Sequence, residues 1–122
     1  MDPIAEMFSQ IRTSRDAGKE IMLIQYSKIK LAILELLKTN KKIIDYKKIE
    51  EKDTKIEIKL AQNKIIFKRV SRPGRRIYTS NGNIPKPKNY RGLMIISTSE
   101  GIMTGEEARK KGLGGEIIAE VS

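Results

Sequence analysis

Three segments of this sequence carry side chains that could do chemistry, and all three suit an anionic polymer better than a small substrate. Lys68 to Arg76, KRVSRPGRR, holds five cations in nine residues around a Pro-Gly turn, which sets guanidinium and ammonium groups against phosphates. Arg72, Arg75 and Arg76 are its candidate contacts. Ser97-Thr98-Ser99 is a run of short hydroxyls, each small, neutral and both donor and acceptor, as contacts to RNA 2′-hydroxyls and shallow grooves require. Gly112-Leu113-Gly114-Gly115 invites comparison with a phosphate-binding glycine loop. Such loops lie between a strand and a helix start, where free N–H groups face the anion, whereas here a helix precedes the glycines and a strand follows. Gly112 suffices as a helix stop. The two further glycines suggest close approach of another chain to the backbone.

Other motifs resolve into plainer readings. Ser27-Lys28-Ile29-Lys30 has the Ser-x-x-Lys spacing of an acyl-transfer nucleophile, but no Ser-Asp-Asn or Lys-Thr-Gly partner accompanies it. It reads as a helix cap followed by surface lysines, with Lys28 and Lys30 available to phosphates. Tyr78 and Tyr90 are candidates for stacking on unpaired bases. The chain has no Cys and no His, which excludes thiol nucleophiles, disulfides, Cys/His zinc sites and imidazole acid–base catalysis. No acidic cluster has metal-ligand spacing, so neither metal nor cofactor is expected, and an enzyme is the least expected class. A DNA-binding architectural protein would need a helix-turn-helix, ribbon arm or wedge, and none is evident.

The elements that position these groups follow from patterning. Ile4, Met7, Phe8 and Ile11 recur at helical spacing after Asp2-Pro3, with Gly18 as the stop. Ile21 to Ile24 reads as a buried strand. Ser27 caps a helix whose stripe is Ile29, Ala32, Ile33, Leu36 and Leu37, widened by Leu31 and Leu34. Strands are expected in 43–52, at Ile56-Ile58-Leu60, where alternation is clear, and at 65–67. A looser connection spans 80–90. Leu93 to Ile96 reads as a buried strand running into the hydroxyls. Thr104 with Glu107 is a capping box for a short helix that closes on Arg109, Lys110, Lys111 and Gly112, and 116–121 is a last strand. The expected fold is α+β in two small α/β lobes: α-β-α-β-β over 1–62, then a β-rich lobe with one short helix over 63–122.

Composition agrees with a polyanion-binding role. Of 122 residues, 39% are apolar and 33% charged, ordinary for a folded chain and too apolar for disorder. The 25 Lys and Arg against 15 Asp and Glu give a net charge of +10, a self-repelling excess that points to a polyanionic partner. No apolar run approaches the ~20 residues that cross a bilayer. The opening Met1-Asp2-Pro3 lacks a signal-peptide layout, so a soluble intracellular protein with no membrane partner is expected.

Several segments together resemble the bacterial small-subunit ribosomal protein S8 family. They are Asp2 to Met7 with Ile11-Arg12, Ser27 to Lys30, Arg69 to Gly74 with Arg76-Ile77-Tyr78, Ile96 to Ser99 with Gly101 to Thr104, and Glu107-Ala108-Arg109 with Gly112 to Glu116. They stand in the family's order and cover nearly the whole chain. The resemblance implies two α/β lobes that bind the central domain of 16S ribosomal RNA early in subunit assembly, beside neighbouring small-subunit proteins. It also implies a second role, repression of translation by binding the protein's own operon messenger. Carried over residue by residue, the main contacts would be Ser97, Thr98 and Ser99 with Gly112, Gly114, Gly115 and Glu116, and Arg12, Lys28 and Lys30 would add backbone contacts. The implied location is the cytoplasm, on the ribosome, with an organellar ribosome as the alternative. Two departures stand out: Glu100, where the family is often basic or small, and the ending Glu120-Val121-Ser122, where an aromatic is common.

Overall fold

The computed structural model describes residues 2–88 and 92–122; Tyr90 lies outside them. The fold is α+β, with three helices and two antiparallel sheets. The chain divides into two compact units, residues 3–64, and residues 65–122 together with Asp2.

In the first unit, α1 (Pro3–Asp16) buries Ile4, Met7, Phe8 and Ile11 along one stripe. Its proline sits in the first turn, where a missing N–H costs no helical bond. The chain leaves the helix through Gly18 at φ 77°. β1 (Ile21–Gln25), α2 (Lys28–Thr39), β2 (Ile43–Ile49) and β3 (Lys55–Leu60) follow, and the sheet order is β1-β3-β2. Ser27 caps α2, its Oγ accepting from the Lys30 N–H at 3.2 Å. Ile33, Leu34, Leu36 and Leu37 are buried, Leu31 is half-buried, and Ile29 lies in the open at 39% exposure. β1 corrects the expectation of a fully buried strand. Only Met22 and Ile24, opposite Ile58 and Ile56, face inward, while Ile21 and Leu23 are 51% and 54% exposed. An aliphatic outer face had masked the two-residue period. β2 stops at Ile49 because the polar run Glu50 to Asp53 turns the chain back. On its rim Tyr46 donates to the Glu35 carboxylate, which pushes the phenol up to about 12. Lys38, 3.0 Å from Asp45, holds that carboxyl below its ordinary value.

The second unit holds β4 (Phe67–Arg69), β5 (Tyr78–Thr79), a 3-10 turn at Asn81–Asn83, β6 (Leu93–Thr98), β7 (Gly101–Thr104), α3 (Gly105–Lys111) and β8 (Gly115–Val121). Its strands run β4-β8-β6-β7, and β5 pairs with β8. β4 and β5 are therefore two pieces of one edge, since both pair antiparallel to the side of β8 away from β6. Ile84, Met94, Ile96, Met103, Ala108 and Ile117 form a core cluster. Thr104 caps α3, its Oγ1 accepting from the Glu107 N–H at 3.2 Å. Gly112 at φ 70° ends the helix, and the Leu113 N–H reaches back to the Ala108 carbonyl at 2.8 Å. β5 and β7 had not been expected from the sequence.

Candidate nucleic-acid interface

The hydroxyl run belongs to the β6–β7 hairpin. Ser97 and Thr98 are the last residues of β6, Thr98 pairs with Gly101, and Ser99-Glu100 is the two-residue loop, with Gly101 at φ 117°. The three hydroxyls are not equivalent. Thr98 Oγ1 donates to the Gly101 carbonyl at 2.9 Å and accepts from the Glu100 N–H at 3.1 Å, so it closes its own turn. Among the described residues the side chains of Ser97 and Ser99 make no hydrogen bond, which leaves both hydroxyls for a ligand. Ser97 is half-buried and Ser99 exposed.

The glycine turn lies beside this hairpin because β8 starts next to the end of β6. Ser97 pairs with Glu116, and Thr79 on the other side pairs with Gly115. A close approach to the glycine backbone does occur, but it comes from the protein's own chain. A Cβ on Gly115 would stand 2.1 Å from the Ser97 carbonyl oxygen, and one on Gly114 2.4 Å from that of Thr79. Asn81 braces the same turn, its side-chain amide donating to the Gly112 carbonyl at 3.0 Å. Glu116 accepts from the Arg76 guanidinium at 3.1 Å and 3.3 Å. Tyr78, Glu116, Ser97 and Ile102 occupy one register row across β5, β8, β6 and β7, so their side chains share a face. Tyr78 ends that row at 68% exposure.

The basic run divides by role. Arg69 is structural: its Nε donates to Asp2 at 3.0 Å and a terminal nitrogen to the Ile118 carbonyl at 2.5 Å, with little of either charged side chain exposed. Arg76 is committed to Glu116. Arg72 and Arg75 are exposed, and among the described residues neither has an ion-pair partner. In the first unit Arg12 and Lys28 are exposed, while Lys30 is half-buried with Nζ 3.3 Å from the Gln25 carbonyl. Lys28 and Lys30 stand in the first turn of α2, and that turn has no acidic residue. Cations there oppose the helix dipole, a placement that a phosphate nearby would offset.

The family model described as Ribosomal protein S8 matches residues 2–122. The chain belongs to the ribosomal protein S8 family. It is 39% identical to the Small ribosomal subunit protein uS8 of Halothermothrix orenii, over 98% of this chain and 96% of the relative. Identity is 45% with that of Kosmotoga olearia, over 98% and 97%, and 44% with that of Tolumonas auensis, over 99% and 97%.

In this S8-family protein the candidate residues of the second unit fall into a neutral part and a charged part. Around the hairpin and glycine turn the charges are paired: Arg76 with Glu116, and Lys111 with Glu100 at 4.0 Å. The departure at Glu100 is thus matched by a lysine at the end of α3. Ser71, Asn81 and Gly105 escaped sequence reading. Ser71 stood inside the run read as a phosphate-contact surface, yet its side chain is wholly buried. A Cβ on Gly105 would meet Ile84 at 3.0 Å and Met94 at 3.2 Å, so this glycine lets α3 close on the core. Nothing in the local sequence marks these three; only tertiary pairing does. Among the described residues, no group of acidic side chains could hold a metal ion, and no helix is long and apolar enough to cross a membrane.

Proposed function

We propose that this protein is a structural component of the small ribosomal subunit that binds the central domain of 16S ribosomal RNA and supports assembly of the subunit. The observation that carries this reading is the convergence of Ser97, Ser99, the glycine turn and Glu116 at one end of the sheet, with local charges already paired. A neutral surface of hydroxyls and close-lying backbone suits the wide, shallow minor groove of an RNA helix, where shape and 2′-hydroxyls are read. Arg72, Arg75, Arg12, Lys28 and Lys30 supply phosphate contacts, which position without reading sequence. Chemical footprinting on isolated 16S RNA, with the central domain as a separate fragment, tests the reading. Protection confined to one helical region of that fragment, and surviving moderate salt, is the expected result. Equal protection across unrelated RNAs would sink it. The protein's own operon messenger would bind the same surface, so a fragment of that messenger should compete with the central domain in the same assay.

A further inference from the structure

The basic turn is held by one buried side chain. Between Arg69, opposite Ala119, and Tyr78, opposite Glu116, the sheet edge takes nine steps where β8 takes three. The surplus forms a protrusion whose tip is the two-residue turn Pro73-Gly74, closed by mutual N–H to carbonyl bonds of Arg72 and Arg75, both 2.9 Å. At its base the Ser71 hydroxyl accepts from the Ile77 N–H at 2.8 Å and lies 3.2 Å from the Ile77 carbonyl, to which it donates. The Ser71 N–H also bonds the Ile117 carbonyl at 3.1 Å, and the Ile77 carbonyl accepts from the Ile117 N–H at 2.9 Å. One fully buried hydroxyl thus ties the two sides of the protrusion to each other, while the Ser71 and Ile77 backbones tie them to β8.

The tip carries a liability that such fastening would otherwise only worsen. Residues directly opposite in an antiparallel pair project on the same face, and like charges so placed repel. Arg72 and Arg75 are such a pair, exposed, and unpartnered among the described residues. Two guanidiniums carried from opposed positions of one tight turn are unfavourable in the free protein and favourable against consecutive phosphodiesters, because the anions remove the repulsion.

We propose that Ser71 is a positioning residue for RNA binding, and that it clamps Arg72 and Arg75 into a single two-phosphate contact. The inference rests on the RNA-binding reading above and adds that the two arginines act as one unit through a buried serine.

The test is a mutant cycle on the full chain, with affinity for the 16S central-domain fragment measured across a salt series. Arg72→Ala with Arg75→Ala should lower the salt slope by about two. Ser71→Ala should weaken binding roughly tenfold in the parent, but by less than about twofold in the double-alanine background. Equal losses in both backgrounds, or no loss in the parent, overturn the clamp. Should Ser71→Ala fail to fold, Ser71→Cys keeps a small buried side chain but weakens both hydrogen bonds; it should cost a few-fold in affinity in the parent only, and equal losses in both backgrounds would again overturn the clamp. If the double-alanine variant binds with unchanged affinity and slope, the tip makes no phosphate contact and the clamp falls. The wider RNA-binding reading is then judged separately by Ser99→Ala, which leaves the tip untouched.

Discussion

The glycine turn and the arginine protrusion both hang on β8, and they are fixed by opposite means. The turn is set by what is absent: no side chain fits between Gly115 and Ser97 or between Gly114 and Thr79. The protrusion is set by a side chain that is present, the hydroxyl of Ser71. One is a rigid neutral surface formed by backbone, the other a charged tip tied at its base. The difference teaches that glycine-rich and arginine-rich segments of a binding protein need not be loose. Each here is over-determined by its neighbours, and the ligand meets a shape that already exists.

The largest test of this contrast is Gly115→Ala. Its Cβ would lie 2.1 Å from a carbonyl oxygen of the neighbouring strand, so β6 and β8 must part. We expect a loss of more than about 3 kcal/mol in stability, read as a lowered melting temperature. A variant that melts like the parent and yet loses RNA would show that the glycine serves the ligand instead. Next in size is Ser99→Ala. It removes a hydroxyl with no partner among the described residues, so stability should hold while specific RNA binding drops by about 1–3 kcal/mol, if the loss leaves an RNA group unsatisfied. The salt slope should stay constant, because a neutral hydroxyl releases no counterion, and an unaltered affinity would leave Ser99 a turn residue only.

Gly112→Ala comes third. The helix end holds this residue at φ 70°, and a Cβ there would meet only the Asn81 side-chain amide at 3.6 Å, an ordinary contact, so conformation alone should cost about 1 kcal/mol of stability. A much larger loss in a thermal melt would mean the turn is sterically closed there as well. The smallest effect belongs to Glu100→Gln. Its pair with Lys111 is long and well exposed, and such pairs contribute about 0–1 kcal/mol at most. RNA affinity should barely move. A large gain in low salt that disappears in high salt would show the carboxylate facing RNA.

Much of the fold was legible because the signals were local. Ser27 before an apolar stripe, Thr104 with Glu107, and Gly112 after three cations each mark a helix end by capping chemistry. β7 was not legible: four residues after a Ser-Glu loop lack the Asn-Gly or Asp-Gly signature of a tight hairpin. β5 is two residues long and exists only through its register with β8. In the site, the residue types could be read but not their division of labour. Arg69 and Arg72 are identical in a sequence, and only Asp2, 67 positions away, decides that one is buried in an ion pair. Gly114 and Gly115 were rightly singled out for close approach, but what approaches is their own chain.

The turn that Thr98 closes on itself has a directional consequence. Its single proton is directed inward, to the Gly101 carbonyl at 2.9 Å and the Met103 sulfur at 4.0 Å, and one lone pair takes the Glu100 N–H, so toward a ligand this hydroxyl has only acceptor capacity left. A ligand group meeting it must bring a hydrogen. Ribose has one at its 2′ position and deoxyribose does not, so a hydroxyl whose proton is committed inward would favour RNA over a DNA copy of the same sequence.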